Sequence, residues 1–232
     1  MMDALVCKRP GVWVISACSV TRMGSAALLA ESGYAPGEIV LLSGHEYRSD
    51  VLEVLCQVPP GRIIFYLSPS LSDLLMQIKL LGWLMNACSG PSVLLLCRTT
   101  QVWIFDTLRK IAGDMARNNR ILVMSARVPV STLRATLQER GTRWGNHPYA
   151  RPLPAAGICG LSLRELQSLE MTLNGISISA QSCLTGLSTK TLYSHRTRAI
   201  RKLSFQGNRR GAYRLWQLFV LADMNVIHHG NP

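Results

Sequence analysis

The sequence predicts two parts: an α/β domain built on a five-stranded parallel sheet, then an all-α domain of four helices. Three observations predict this. Over the first 140 residues, short apolar runs rich in β-branched residues alternate with stretches of helical periodicity. Residues 141–157, GTRWGNHPYARPLPAAG, then break all periodicity with Gly, Pro and Asn, as a linker does. Beyond them only helical spacing recurs, and from Met171 to Ala222 there is no Asp or Glu against eight Lys and Arg.

The N-terminal elements follow in order. Gly11–Ser16, GVWVIS, is short, apolar and β-branched, and reads as a buried strand. Arg22–Ser32 is helical, with Met23, Ala26, Ala27 and Ala30 on one side. Glu38–Ser43 is the second strand and Ser49–Gln57 a short helix. Arg62–Leu67, RIIFYL, is the third strand. Ser72–Ala87 follows as a helix with Leu74, Leu75, Ile78, Leu81 and Leu84 at helical spacing. Ser92–Cys97 is the fourth strand, Thr100–Asn118 a helix, Arg120–Ser125 the fifth strand and Ser131–Gly141 the last helix. Strands that alternate with helices imply a parallel sheet covered on both faces, and five such units predict a flavodoxin-like order. The domains are therefore 1–140, a linker at 141–157, in which Trp144 and Tyr149 can anchor to one side, and 158–232.

In the C-terminal part, Ile178–Thr185 is a short helix and Gly186-Leu187 a tight turn. Ser188 can cap the next helix. Along it, Leu192, His195, Ala199 and Leu203 form an inward stripe, while Lys190, Tyr193, Ser194, Thr197 and Arg201 face solvent. Helix, turn with glycine, helix is the helix-turn-helix arrangement, whose second helix enters the major groove of double-stranded DNA. The alternative on composition alone is a basic solvated helix on any globular domain. Asn208–Ala222 predicts a last helix with a broad apolar face of Ala212, Leu215, Trp216, Phe219 and Val220.

On these residues the segment 157–222 resembles the C-terminal domain of LuxR/FixJ/NarL-type bacterial regulators. That family reads L-T-x-R-E-x-E-V-L, a glycine, then S-x-x-T-V-x-x-H-x-x-x-I-x-x-K-L. Leu161, Ser162, Arg164, Glu165 and Leu169 match the first block and Gly175 the glycine. Ser188, Thr191, Leu192, His195, Ala199, Ile200, Lys202 and Leu203 fall on the last block. The usual N-K-E-I-A of the first, scaffold helix is replaced by Ile178-Ser179-Ala180-Gln181-Ser182. The resemblance implies a sequence-specific DNA-binding transcription regulator. It places Tyr193, Ser194 and Thr197 on bases, with Thr191, Arg196, Arg198 and Arg201 placed for phosphates. Lys190 joins them on the solvent face. His195 and Glu165 are implied to be structural, and the fourth helix to carry dimer contacts.

The N-terminal element order, with Val12–Leu29, resembles the receiver domain that precedes such DNA-binding domains. A working receiver holds magnesium with acidic residues after its first strand. It accepts phosphate on an aspartate at the end of the third, with a Ser or Thr after the fourth and a lysine after the fifth. Here those strand ends read Ser16-Ala17, Tyr66-Leu67-Ser68, Cys97-Arg98 with Thr99 loosely placed, and Ser125-Ala126. Without clustered carboxylates a hard cation has no oxygen cage, and without the aspartate there is no acyl-phosphate. The expectation is a degenerate receiver with no phosphorylation site, metal or cofactor. A displacement of the strand ends by several residues is the competing reading; Asp50 and Asp73, the nearest carboxylates, fall in predicted helices or their caps.

Composition sets the remaining bounds. The 232 residues carry a net charge of +12 and are 48% hydrophobic, enough for sizeable cores and calling for an acidic partner. Residues 151–232 hold a net +7 and the first 150 a net +5, so the excess concentrates in the shorter part. The seven cysteines form no CxxC or zinc spacing, and such a scattered, odd set suits a reducing cytoplasm. His228-His229 are adjacent and do not share a helix face, which argues against a metal site. There is no signal-peptide pattern and no apolar run of membrane-spanning length. No P-loop, GxGxxG after a strand, GxSxG or HExxH is present, so a catalytic role is not expected. The partners expected are double-stranded DNA and a second regulator chain, in a homodimer or a heterodimer. The latter keeps open an accessory role, in which the chain pairs with or sequesters another response regulator through roughly Thr100–Gly141.

Overall fold

The computed structural model describes residues 11–43, 60–87, 91–98, 102–112, 121–138, 151–152 and 160–204. The helices expected at 49–57 and 208–222 lie outside these residues, as do the ends expected at 113–118 and 139–141. In chain order the elements are β1 (Val12–Ser16), α1 (Ser19–Glu31), β2 (Ile39–Ser43), β3 (Arg62–Tyr66), α2 (Leu71–Ala87), β4 (Ser92–Cys97), α3 (Val102–Ala112), β5 (Ile121–Ser125), α4 (Val130–Gln138), β6 (Arg151–Pro152), α5 (Leu163–Leu173), α6 (Ile178–Thr185) and α7 (Thr189–Ser204). They form two compact units. One comprises Met1–Thr100 with Ala112–Pro154, the other Gln101–Ile111 with Ala155–Pro232.

The first unit is the α/β part. Its sheet runs β2-β1-β3-β4-β5-β6, with β1 to β5 mutually parallel, the order the alternating pattern predicts. A sixth strand, β6, pairs antiparallel with β5 inside the stretch read as linker. Strands buried on both faces are continuous in hydrophobicity, as β1, β3, β4 and β5 are, while the edge strand β2 is half-buried. One face presents Val12, Val14, Ile64, Leu94, Leu96, Leu122 and Met124 to Leu29 of α1 and Leu137 of α4. The alternate residues, among them Trp13, Ile15, Ile63, Phe65, Val93 and Leu95, are equally buried. Each such side chain contributes roughly 1.5–3 kcal/mol over an exposed one, so burial of these runs is the main stabilising term of the sheet.

Most described boundaries fall within one or two residues of expectation, and two shifts have a visible cause. Helix α1 begins at Ser19, not Arg22: the Cys18 amide donates to Ser16 Oγ at 3.2 Å, which turns the chain at once into the helix without a capping side chain. Glu38, expected in β2, instead closes a 3-10 turn, where its carboxylate accepts from the Ala35 amide at 2.8 Å.

The second unit holds α5, α6 and α7, together with α3, whose place in the sequence is between β4 and β5. Leu161, Leu166, Leu169, Leu192, Ala199 and Leu203 are buried in it. Among the described residues no helix is long and apolar enough to cross a membrane.

Candidate nucleic-acid interface

Helix α7 is positioned by its neighbours in sequence. Ser177 caps α6, its Oγ accepting from the Ala180 amide at 3.3 Å. Gly186 ends α6 at φ 68°, the left-handed conformation that glycine adopts without a Cβ penalty. Ser182 Oγ then donates to the Leu187 carbonyl at 2.6 Å and fixes the turn. Ser188 Oγ accepts from the Thr191 amide at 3.2 Å and starts α7, the capping role its sequence position predicts. On the inner side, Leu192, Ala199 and Leu203 are buried, and Ser168 of α5 donates from Oγ to the Leu192 carbonyl at 3.4 Å.

Gln181 of α6 ties that helix to its neighbour. Gln181 is fully buried. Its Nε2 donates to Thr172 Oγ1 at 3.0 Å and to the Ile176 carbonyl at 2.8 Å, which ties α6 to the end of α5. Both bonds are made by Nε2; Oε1 is buried without a hydrogen-bond partner among the described residues, a cost that an apolar side chain here would not carry.

At the other end of α7 an ionic anchor holds it. Ser162 and Glu165 form a capping box on α5, with the Ser162 amide 2.7 Å from Glu165 Oε2 and the Glu165 amide 3.3 Å from Ser162 Oγ. The same Oε2 accepts from Lys202 of α7 at 2.6 Å. Burial alone pushes the Glu165 carboxyl up, but the hydrogen bonds from Lys202 and from the Ser162 amide, with the charge of Lys202, outweigh it and hold the group below its ordinary value. Lys202 Nζ also donates to the Gly160 carbonyl at 3.2 Å, and Lys110 Nζ of α3 to the same oxygen at 2.6 Å. The Leu161 amide donates to Thr107 Oγ1 at 2.8 Å. Gly160 lies so close to α3 that a Cβ there would sit 2.4 Å from the Asp106 carbonyl carbon. Neither Thr107 nor Lys110 is marked by any local pattern in the sequence.

The outward side of α7 is an open polar furrow lined by Thr189, Lys190, Tyr193, Ser194, Thr197, Arg198 and Arg201. At 1.5 Å per residue these span about 18 Å of helix. The furrow carries three cations and four hydroxyl groups, and no acid. An α-helix with such a face matches the width of the major groove of B-form DNA. Tyr193 is 41% exposed on it.

Six of the eight residues expected at the interface come together here: Lys190, Tyr193, Ser194, Thr197, Arg198 and Arg201. Thr189 joins them, a residue the motif does not mark. Thr191 is half-buried, its Oγ1 2.8 Å from Ser188 Oγ. It therefore belongs to the cap and not to the furrow. Arg196 also lies off the furrow. It is 9% exposed, and its guanidinium carbon sits 4.6 Å from the centroid of the Tyr193 ring. The reason is periodicity: steps of four, three and four link Leu192, Arg196, Ala199 and Leu203 on the inward stripe. His195, expected inside, is half-buried.

The strand ends of the first unit lie where the sequence places them: β1 ends at Ser16, β3 at Tyr66, β4 at Cys97 and β5 at Ser125. Arg22 Nη1 donates to the Ser16 carbonyl at 2.5 Å, which puts a guanidinium at the end of β1. Asp73 sits in the first turn of α2, where its Oδ2 accepts from Ser68 Oγ at 3.1 Å. Asp50 lies outside the described residues. Among the described residues these ends offer serines, a thiol, a guanidinium and the one Asp73 carboxylate, which is not the clustered carboxylate oxygen that holds a magnesium ion.

No family model and no curated protein matches the chain. Among solved structures it is similar to RcsB from Salmonella enterica serovar Typhimurium bound to promoter rprA in the presence of phosphomimetic BeF3−, at 13% identity over 91% of this chain and 98% of that one, TM-score 0.47. It is also similar to a structure of two RcsB dimers bound to two parallel DNAs, at 14% identity over 89% and 98%, TM-score 0.48. The response regulator ChrA of a heme-sensing two-component system matches at 19% identity over 90% and 96%, TM-score 0.29.

Proposed function

We propose that this chain is a sequence-specific, DNA-binding transcription regulator of the LuxR/FixJ/NarL type, and that α7 is its recognition helix. One observation carries the reading: a capped helix, reached through a short glycine turn, presents an acid-free furrow of cations and hydrogen-bonding side chains. Tyr193, Ser194 and Thr197 read base edges, while Lys190, Arg198 and Arg201 hold phosphates and the rim of the groove. Residues 158–232 are the DNA-binding domain, joined through 141–157 to the receiver-like 1–140, with α3 contributed to the second unit and β6 to the sheet. The role is binding, not catalysis, and the regulator acts without phosphorylation of that domain. The strand ends support this second point, since they offer Ser16, Ser68, Cys97 and Ser125 where acyl-phosphate chemistry needs carboxylates.

The regulator works as a dimer, which sets two recognition helices on adjacent half-sites. Selection of bound duplexes from a random pool, with the purified full-length chain at near-physiological salt, tests the proposal. An enriched inverted repeat is expected. Only weak, salt-sensitive and sequence-blind binding would sink it in favour of an accessory chain that needs a partner regulator.

A further inference from the structure

Resting on the reading of α7 as a recognition helix, we infer that Arg196 is a positioning residue for base recognition: it holds the Tyr193 ring in the orientation that meets a base and does not itself touch DNA. The two residues lie three apart on α7 but on different sides of its buried edge. Tyr193 is 41% exposed and lines the furrow, whereas Arg196 is 9% exposed on the stripe of Leu192, Ala199 and Leu203. The guanidinium carbon stands 4.6 Å from the ring centroid, within the range of cation–π attraction. The stack therefore runs from the buried side of the helix to the open side.

A tyrosine on an open helix face samples more than one rotamer, and ordering it costs affinity when it docks. A guanidinium already fixed by burial and lying over one face of the ring restricts that motion beforehand. The second ring face and the phenol hydroxyl stay available to a base edge. Arginine suits this task better than lysine, because its flat, weakly hydrated group stacks on aromatic faces. Burial also takes Arg196 out of the set of phosphate contacts, unlike Arg198 and Arg201, which line the furrow.

The test uses the full-length chain, the duplex it selects from a random pool, and that duplex's single-base variants. Arg196→Gln is expected to lower discrimination roughly two- to tenfold, only at the base pairs where Tyr193→Ala also relaxes it. The dependence of log affinity on log salt is expected to stay unchanged. In the Tyr193→Ala background Arg196→Gln is expected to add no further loss of discrimination, and Arg196→Lys to retain part of it. A salt slope shallower by about 0.9 would make Arg196 a phosphate contact and overturn the inference. Equal weakening on every duplex, with a lowered Tm and intact discrimination, would reduce it to a folding residue and overturn it equally. Should Arg196→Gln fail to fold, Arg196→Met, which keeps an unbranched stem and likewise removes the charge, gives the same comparison. A wild-type chain with no sequence preference overturns the reading of α7 itself, and this inference with it. A preference that survives Arg196→Gln unchanged overturns this inference alone.

Discussion

The C-terminal ends of β1, β3, β4 and β5 and the outward face of α7 are both set up by regular elements anchored on buried apolar residues, yet they carry opposite chemistry. At the strand ends stand Ser16, Ser68, Cys97 and Ser125, with the Arg22 guanidinium on the Ser16 carbonyl. Along α7 stand three cations and four hydroxyls in one furrow. The sheet keeps its order because Val, Ile and Leu at alternating positions hold it, and none of those residues takes part in chemistry at its edge. A fold survives the loss of a site; a site does not survive the loss of its few polar groups. The difference is why the proposed function is placed in the second unit.

The strongest attempt to break this contrast removes the charge on α7. Neutralising Arg198 and Arg201 together is expected to weaken binding to all duplexes alike. It should flatten the slope of log affinity against log salt by about 1.8, so that roughly tenfold less affinity is lost between 50 and 200 mM salt. Fluorescence anisotropy titrations at four salt concentrations would measure it. An unchanged slope means the furrow is a solvated surface and no better a site than the strand ends.

A second test concerns what holds the furrow in place. Gly160→Ala sets a Cβ against the Asp106 carbonyl group and the Thr107 amide, backbone atoms that cannot swing aside. Overpacking of this kind costs typically 1–3 kcal/mol, and here it also strains the carbonyl shared by Lys110 and Lys202. Thermal unfolding is expected to show the loss in the second unit. Gly24→Ala in α1, where a Cβ meets nothing within 4 Å, is the control, expected to stabilise by roughly 0.5–1 kcal/mol. Equal Tm values for the two variants would remove α3 from the support of α7.

Acid offers a gentler probe of the same anchor. Glu165 titrates below its ordinary value in the folded chain. A depressed carboxyl contributes its stability in full above the unfolded value, about pH 4.3, and loses it as the pH falls through the folded one. The second unit is expected to lose stability below roughly pH 4, and Glu165→Gln to remove that part of the pH dependence. Guanidinium unfolding of the two proteins between pH 3 and 7 would show whether the curves converge in acid. Parallel curves would leave the Glu165–Lys202 pair without a role.

Much of this was legible from the residues, and the exceptions have physical causes. The bounds of α6 follow from its caps, Ser177 and Gly186, and the strand ends follow from where apolar runs stop. The furrow follows from steps of three and four along α7. Arg196 departs from the phosphate role that the resemblance implies because its spacing from Leu192 and Ala199 puts it on the inward stripe, whereas an arginine by type reads as solvent-facing. The placement of Gln181 likewise needed the hydrogen bonds to Thr172 and Ile176, which the sequence does not display. β6 is two residues long and ends in proline, too short for a periodic signal. Lys110 and Thr107 meet Gly160 and Leu161 across about fifty residues of chain, and no local pattern encodes such a contact.

The smallest expected effect is a null one, at the strand ends. Incubation of the full-length chain with a small phosphodonor is expected to leave no hydroxylamine-labile phosphate and no change in DNA affinity. The physical reason lies in what an acyl-phosphate requires: a carboxylate at the end of β3 and a cation to neutralise the incoming phosphoryl group. That strand end leads through Leu67 to Ser68, whose hydroxyl donates to Asp73, while Arg22 stands where β1 ends. Asp73 belongs to the first turn of α2 and is engaged by Ser68, so a phosphoryl group there would have to break that hydrogen bond. Intact-mass measurement reads the outcome directly. Stoichiometric labelling that hydroxylamine removes would restore a phosphorylation switch to the first unit, and the contrast between its strand ends and α7 would then be one of tuning and no longer one of presence against absence.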